Sequence, residues 1–282
     1  MIGEESELLP GRTPGSATAQ NHWAAASHRR YHHMSELITN RTRSAWNGVY
    51  RIGGLAILIA IPMYLLDIGI SMAVEGADIS PDALTAITLF DLYRENWILG
   101  FRALGLINVV TLVVSVPFFV ALYGAHQQEC RPYAALALIV WLVGATIYIS
   151  NNAAIPISVL SSKYASATTD SQRTILAAAG EALIARGADF TPGSFVGFFL
   201  TEIAAIGFSL NMLRSRLFGR SIACLGIVGF VFLSIFTICS TFFPALFTVG
   251  MVIAMVGGLL GLFWYILVAL RLLRLGRQQG VM

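Results

Sequence analysis

Hydrophobic residues are concentrated in six long runs separated by shorter polar segments. The runs lie at about 51–74, 97–123, 134–160, 194–213, 221–243 and 245–272. Each reaches the roughly 20 residues that a helix needs to cross the hydrocarbon core of a bilayer. Strands of a membrane barrel would alternate polar and apolar residues, and these runs do not alternate. The pattern predicts an all-α fold, a polytopic membrane protein with a bundle of six transmembrane helices.

Proline and glycine modify this picture within the runs. Pro62, Pro117 and Pro156 fall inside the first three runs, where proline usually kinks a membrane helix. Gly257 and Gly261 form a small-xxx-small pair, which allows another helix to approach closely. We interpret this face as packing within the bundle, with a homo-oligomer through the same face as the alternative.

Two longer polar segments are expected to carry short helices of their own. Ser80-Pro81 is typical of a helix start and predicts a helix that runs toward Glu95. In the second segment, the sequence from Thr169 to Gln172 fits a capping box. The helix that it opens has one apolar face, formed by Ile175, Leu176, Leu183 and Ile184, and is expected to lie on the bundle or at the membrane surface. It should end near Gly187.

The apolar runs are flanked by a long N-terminal tail and a short C-terminal tail. Residues 1–44 have no apolar run, so we predict a disordered tail, followed by a membrane domain at 45–274 and a basic tail at 275–282. The first apolar stretch begins only after Tyr50, which argues against a signal peptide. Met34 is an alternative start of the protein.

Composition and charge support the membrane assignment. The chain is 56% hydrophobic and only 12% charged, whereas an average soluble domain is about a quarter charged. Lipid must therefore form part of its solvent, and no nucleic acid partner is expected. If the six runs alternate in direction, thirteen of the 18 basic residues fall on the side that carries both termini. Because arginine and lysine are retained inside, we expect cytoplasmic N- and C-termini in the inner membrane of a cell.

Several short motifs resemble the domain-of-unknown-function 4386 family of bacterial multi-pass membrane proteins. The resemblance rests on five segments in order, at residues 51–55, 96–102, 120–123, 215–220 and 225–229. Together they extend over about residues 46–245. The resemblance implies a multi-helix membrane fold and no known activity. The histidine-bearing tail departs from the family pattern.

Three charged residues lie within the predicted spans: Asp67, Arg102 and Glu202. Ionised groups are costly inside a membrane, so each one is a candidate functional residue. Helical spacing places them in the outer leaflet together with three polar side chains of the third run, Tyr148, Asn151 and Asn152. One hypothesis is a ligand or ion site in which Arg102 pairs with Glu202 or Asp67. The other is a structural pair that sets the helix register.

Motifs for known catalytic chemistry are absent from the sequence. There is no HExxH, P-loop, GxGxxG or GxSxG pattern. His126 is the only histidine outside the tail, and we place it in a cytoplasmic loop; His28 and His32, in the tail, make a weak metal pair. These features argue against an enzyme and predict no cofactor or metal.

Three functions stay open at this point. The first is binding of a small polar or amphipathic ligand in a polar pocket of the outer leaflet. The second is transport of a small molecule or an ion, which predicts inverted repeats, although the two halves of the chain show no convincing match. The third is a membrane-embedded partner or assembly protein.

Overall fold

A computed structural model describes residues 46–70, 85–215 and 217–278 of the chain. These residues form helices and short turns, with no strand among them. The helices are α1 (Trp46–Ile70), α2 (Ala86–Glu95), α3 (Trp97–Ala103), α4 (Leu106–His126), α5 (Arg131–Asn151), α6 (Ala154–Ser166), α7 (Asp170–Gly187), α8 (Pro192–Ser215), α9 (Arg220–Phe242) and α10 (Phe247–Gln278), with a short 3-10 turn at Pro244–Leu246. The predicted all-α class is confirmed for the part of the chain that the structure describes.

Six helical stretches are long and apolar enough to cross a membrane. They contain α1, α4, α5, α8, α9 and α10, one for each of the six apolar runs. The chain is therefore built as a multi-pass membrane protein.

Glycine lets the central helices α5 and α8 pack closely. A Cβ atom on Gly144 would come 2.9 Å from the carbonyl oxygen of Gly197 and 3.0 Å from the amide nitrogen of Thr201. A Cβ atom on Gly197 would come 2.7 Å from that of Tyr148. Backbone contact at this distance provides the van der Waals packing that holds helices together in lipid.

The predicted glycine pair of the last run is used in the same way. A Cβ atom on Gly257 would lie 2.9 Å from the carbonyl oxygen of Gly229 in α9, and Gly261 faces Phe230 and Leu233. The face is thus occupied by α9 within the chain, as the packing interpretation expected. Homo-oligomerisation stays a prediction.

The first helix closes the bundle between α4 and α10. Gly53 lies against Ala121 and the Pro117 carbonyl of α4, and Gly54 lies against Leu273 of α10. Pro62 and Pro117 both fall inside continuous helices. The centre is aromatic: Trp141 stacks on Phe119 with ring centroids 4.2 Å apart, and Trp264 is fully buried.

The outer surface of the bundle is apolar. Large aliphatic side chains are more than half exposed on several helices, such as Leu136 on α5 and Val252 and Met255 on α10. An apolar surface of this extent is unfavourable in water. Contact with the hydrocarbon of a bilayer explains it.

Two of the predicted spans are wrong in their continuity. The second run breaks at Leu104-Gly105, where Gly105 takes a left-handed conformation with φ of 69° and separates α3 from α4. The third run breaks at Asn152-Ala153 between α5 and α6. Pro156 explains this second break, because its ring clashes with the carbonyl four residues earlier, at Asn152.

Four short helices, α2, α3, α6 and α7, form a layer at one end of the bundle that we call the cap. Its core is a separate apolar cluster that includes Leu89, Phe90 and Ile157. Side chains tie the helices together: Tyr93 donates to the Ala154 carbonyl at 2.8 Å, and Ser161 donates to the Phe90 carbonyl at 2.9 Å. The cap covers the ends of the membrane helices.

The predicted cap helices are confirmed with changes at their ends. The first begins after Thr85, whose side chain caps it, while Ser80-Pro81 lies outside the described residues. The second ends at Gly187 as predicted, and Thr169 accepts from the Gln172 amide at 3.3 Å.

The apolar face predicted for α7 is wrong in one position. Ile175 is 66% exposed, while Gly180 and Ile184 make the contact. Gly180 lies against Phe90 and Ala86, so a residue without a side chain lets α2 approach. The predicted tail at 1–44 lies outside the described residues, and α10 extends through 275–278.

Candidate functional site

The two helix breaks face each other beneath the cap. The Asn152 side chain joins them, because its Nδ2 donates to the Leu104 carbonyl at 2.7 Å and its Oδ1 accepts from the Ala154 amide at 3.1 Å. A break exposes backbone groups that must find other partners inside a membrane protein. One asparagine satisfies a group at each break and holds the two breaks together.

A buried carboxylate, Asp189, lies beside these breaks. Its Oδ1 accepts from the Tyr148 hydroxyl at 2.6 Å, and its Oδ2 accepts from Asn108 Nδ2 at 2.8 Å. The same hydroxyl lies 3.4 Å from the Gly105 carbonyl. Three elements thus converge on one acidic group: α4, α5 and the connection between α7 and α8.

The backbone around Asp189 takes conformations that most residues avoid. Phe190 has φ of 63°, and among the described residues it is the one non-glycine residue with a positive φ. Gly105, with its own positive φ, leaves room for the carboxylate, because a Cβ atom there would lie 2.9 Å from Asp189 Oδ2. Left-handed residues cost free energy and collect at binding and catalytic sites.

An ion pair completes the arrangement. Arg102 Nε lies 3.1 Å from Asp67 Oδ1, and the two side chains are 9% and 18% exposed. Both charges interact electrostatically with Asp189. We call Asp67, Arg102, Asn108, Tyr148 and Asp189 the cap cluster. The pairing of Arg102 with Asp67, one of the two predicted partners, is found, and the pairing with Glu202 is not.

Asn151, a predicted site residue, lies apart from the cap cluster. Its Nδ2 donates to the Gly193 carbonyl at 2.9 Å, and its Oδ1 accepts from Arg186 Nε at 3.4 Å. These bonds fasten the end of α5 to the end of α7 and the start of α8. The role of Asn151 in this structure is to connect helices.

Glu202 forms a second polar site, deeper in the bundle. Its Oε1 accepts from the Thr237 hydroxyl of α9 at 2.8 Å. Tyr64 of α1 interacts electrostatically with Glu202, Asp67 and Asp189, so it lies between this site and the cap cluster. Three of the six predicted residues belong to the cap cluster and Asn152 joins the helix breaks beside it, while Asn151 and Glu202 lie apart, so the six do not form one pocket.

A cavity of about 450 Å³ opens on the other side of α3, between α2 and α6. Its lining combines aromatic rings, serine hydroxyls and one arginine: Tyr93, Arg94, Trp97, Phe101, Ser158, Val159, Ser161 and Ser162. Burial raises the pKa of Tyr93 well above its usual value, so the hydroxyl stays neutral. Helix α3 thus contributes Phe101 to this cavity and Arg102 to the cap cluster.

Metal-binding residues do not cluster in the described chain. No group of three or more His, Cys, Asp or Glu side chains there is placed to hold a metal ion. His28 and His32 lie outside the described residues. His126 is the last residue of α4 and is fully buried against Phe218, so its predicted position in a loop is wrong.

Two residues of the cap cluster were missed by sequence reasoning, Asp189 and Asn108. Asp189 falls in a polar segment, where a carboxylate attracts no attention. The available signal was its position three residues before Pro192, at the entry to a membrane helix. Asn108 was a polar residue inside an apolar run, four residues after the break at Leu104.

Comparisons with known proteins add no relative to this picture. The chain matches no protein-family profile, no curated protein and no solved structure. The fold and the site define its class: a multi-pass α-helical membrane protein with a polar cluster between interrupted helices.

Proposed function

We propose that this protein binds a small polar or amphipathic ligand at the cap cluster, from the outer side of a bacterial inner membrane. The observation that carries the proposal is the buried Asp189 carboxylate, held by Tyr148 and Asn108 between two helix breaks. Interrupted helices at membrane depth are typical of ligand sites in membrane proteins. Buried ionisable residues there are functional candidates by default.

The charge of the cluster favours a ligand with a positively charged group. It contains two carboxylates, Asp67 and Asp189, and a single arginine. The cavity beyond α3 supplies aromatic surface for the apolar part of an amphipathic molecule.

The orientation in the membrane follows from the positive-inside rule. Arg131, Arg214 and Arg220 lie at helix ends opposite the cap, as does Arg51, whose Nε donates to the Gly276 carbonyl at 3.0 Å. Because arginine is retained inside, we expect the cap on the outer side and both termini in the cytoplasm. Membership of the domain-of-unknown-function 4386 family is compatible with this arrangement, and it is part of the proposal.

Transport of the same ligand is the second candidate function. The facing breaks at Gly105 and Asn152 support it, because alternating-access transporters build their sites from such interrupted helices. The third candidate function is that of a membrane-embedded partner protein, which would bind through the arginines at the helix ends opposite the cap.

Thermal unfolding of the purified full-length protein tests the binding proposal. The probes are monovalent cations and aliphatic amines, each compared with its neutral isostere. We expect at least one charged probe to raise the Tm of the wild type and of Asp91→Asn, an exposed control, but not of Asp189→Asn. Equal shifts in all three proteins, or no shift with any probe, would contradict the proposal. Uptake of an active probe into proteoliposomes would then identify transport.

A further inference from the structure

Glu202 differs from the carboxylates of the cap cluster because half of its carboxyl group has no partner. Its Oε1 accepts from Thr237, while its Oε2 is buried and makes no hydrogen bond within the described part of the chain. A buried polar atom without a partner is rare and calls for a physical explanation.

Ser234 supplies the second half of the site. It lies three residues before Thr237, so both hydroxyls point from the same face of α9 toward α8. Ser234 is 7% exposed, and its Oγ faces the Glu202 carboxyl without making a hydrogen bond to any described residue. Oε2 of Glu202 and Oγ of Ser234 are therefore two buried polar atoms, on neighbouring helices, that have no hydrogen-bond partner within the described residues.

Among the residues that the structure describes, no positively charged group is recorded beside Glu202. Tyr64 of α1 and Tyr265 of α10 interact with it electrostatically. Arg102, the cation that the sequence offered as a partner of Glu202, is bonded to Asp67 instead. A carboxylate inside a membrane without a cation is unfavourable, so the site requires a proton.

We propose that Glu202 is a proton-binding site inside the membrane bundle. In the acid form, Oε2–H donates to Ser234 Oγ while Oε1 accepts from the Thr237 hydroxyl. On release, the O–H bond breaks, the proton passes to water, and the carboxylate keeps the electron pair. The Ser234 hydroxyl then rotates and donates to Oε2. Each form has two hydrogen bonds, so the site can hold and release a proton without moving a helix.

Tyr64 links this proton site to the cap cluster. It interacts electrostatically with Glu202 on one side and with Asp67 and Asp189 on the other. The proton site itself does not depend on the ligand proposed above.

Infrared difference spectroscopy of the full-length protein in lipid nanodiscs tests the proposal directly. A protonated carboxyl has its own C=O stretching band, which disappears when the proton leaves. We expect such a band in the wild type, with its loss as pH is raised. The band should be absent in Glu202→Gln and unchanged in Glu95→Gln, an exposed matched control.

A second variant keeps the test decisive if Glu202→Gln fails to fold. In Ser234→Ala the Glu202 band should persist and shift in frequency, because the acid proton has lost its acceptor. The proposal is overturned if the wild type shows no band, if its band never changes with pH, or if the band survives Glu202→Gln. Each of these results leaves ligand binding at Asp189 intact, so the two proposals fail separately.

Discussion

The two ends of the bundle are built by different rules. At the cap end, two membrane helices are interrupted, and four short helices cover a polar cluster with charges of both signs. At the opposite end, the helices continue to their last turn, and small residues fit against large side chains, as Gly124 fits against Trp46. Charge there is carried by arginines at helix ends.

This difference shows where the protein departs from simple membrane packing. A continuous helix makes its own backbone hydrogen bonds, so the end of the bundle opposite the cap needs only close packing of side chains and a few helix caps. Each interruption at the cap end leaves backbone groups that side chains must satisfy, and residues such as Asn152 are committed to that task. Helix breaks and left-handed residues cost free energy and are concentrated at functional sites, so we expect the function of this protein at the cap end.

Gly105→Ala should have one of the two largest effects on stability. Alanine at φ of 69° is strained by ~1–2 kcal/mol, and its Cβ would lie 2.5 Å from the Tyr148 hydroxyl and displace it from Asp189. We expect a loss of about 3 kcal/mol in the free energy of unfolding, measured by circular dichroism in detergent. The matched control is Gly258→Ala, where a Cβ atom meets nothing within 4 Å and helix propensity predicts a gain of up to ~1 kcal/mol. Similar losses of stability in both variants would show that Gly105 has no special role at the helix break.

Arginine substitutions should have graded effects according to their partners. Arg102→Met leaves Asp67 buried beside Asp189, and we expect a loss of about 3 kcal/mol. Arg51→Met removes a bond to a backbone carbonyl at the opposite end, for about 1 kcal/mol. Arg94→Met breaks an exposed pair with Asp91 and should cost below ~1 kcal/mol. Unfolding by denaturant measures the loss of stability in each of the three variants. If Arg102→Met lost no more stability than Arg94→Met, the cap cluster would be accessible to solvent.

Tyr93→Phe should have a small effect on stability, and one that depends on pH. The substitution removes the hydrogen bond to Ala154, for about 1 kcal/mol near neutral pH. Because burial raises the Tyr93 pKa above its unfolded value of 10.0, the wild type gains this stability below pH 10.0 and loses it as pH rises further. The difference between the two proteins should therefore shrink in alkaline solution. If the stability difference between the wild type and Tyr93→Phe stayed constant up to the highest pH tested, the Tyr93 hydroxyl would be exposed to solvent.

The site was only partly predictable from the sequence. Asp67 and Arg102 stood out because a charge inside an apolar run is unusual, and their pairing was one of two expected alternatives. Asp189 did not stand out, because it lies in a polar segment that folds back beneath the cap. The breaks at Gly105 and Asn152 were hidden in runs whose hydropathy alone predicts continuous helices. Hydropathy measures the free energy of transfer into lipid and does not show where a helix breaks.

The sequence by itself determined that the described chain is helical, that six of its stretches are long and apolar enough to cross a membrane, and that most basic residues lie outside the apolar runs. Those properties follow from the cost of placing a bare peptide group in hydrocarbon, which acts on each segment separately. The tertiary structure alone decided which polar side chains meet: Tyr148 and Asn108 at Asp189, and Thr237 and Ser234 at Glu202. Contacts between residues distant in sequence depend on how helices pack and where they break, and local composition does not specify either.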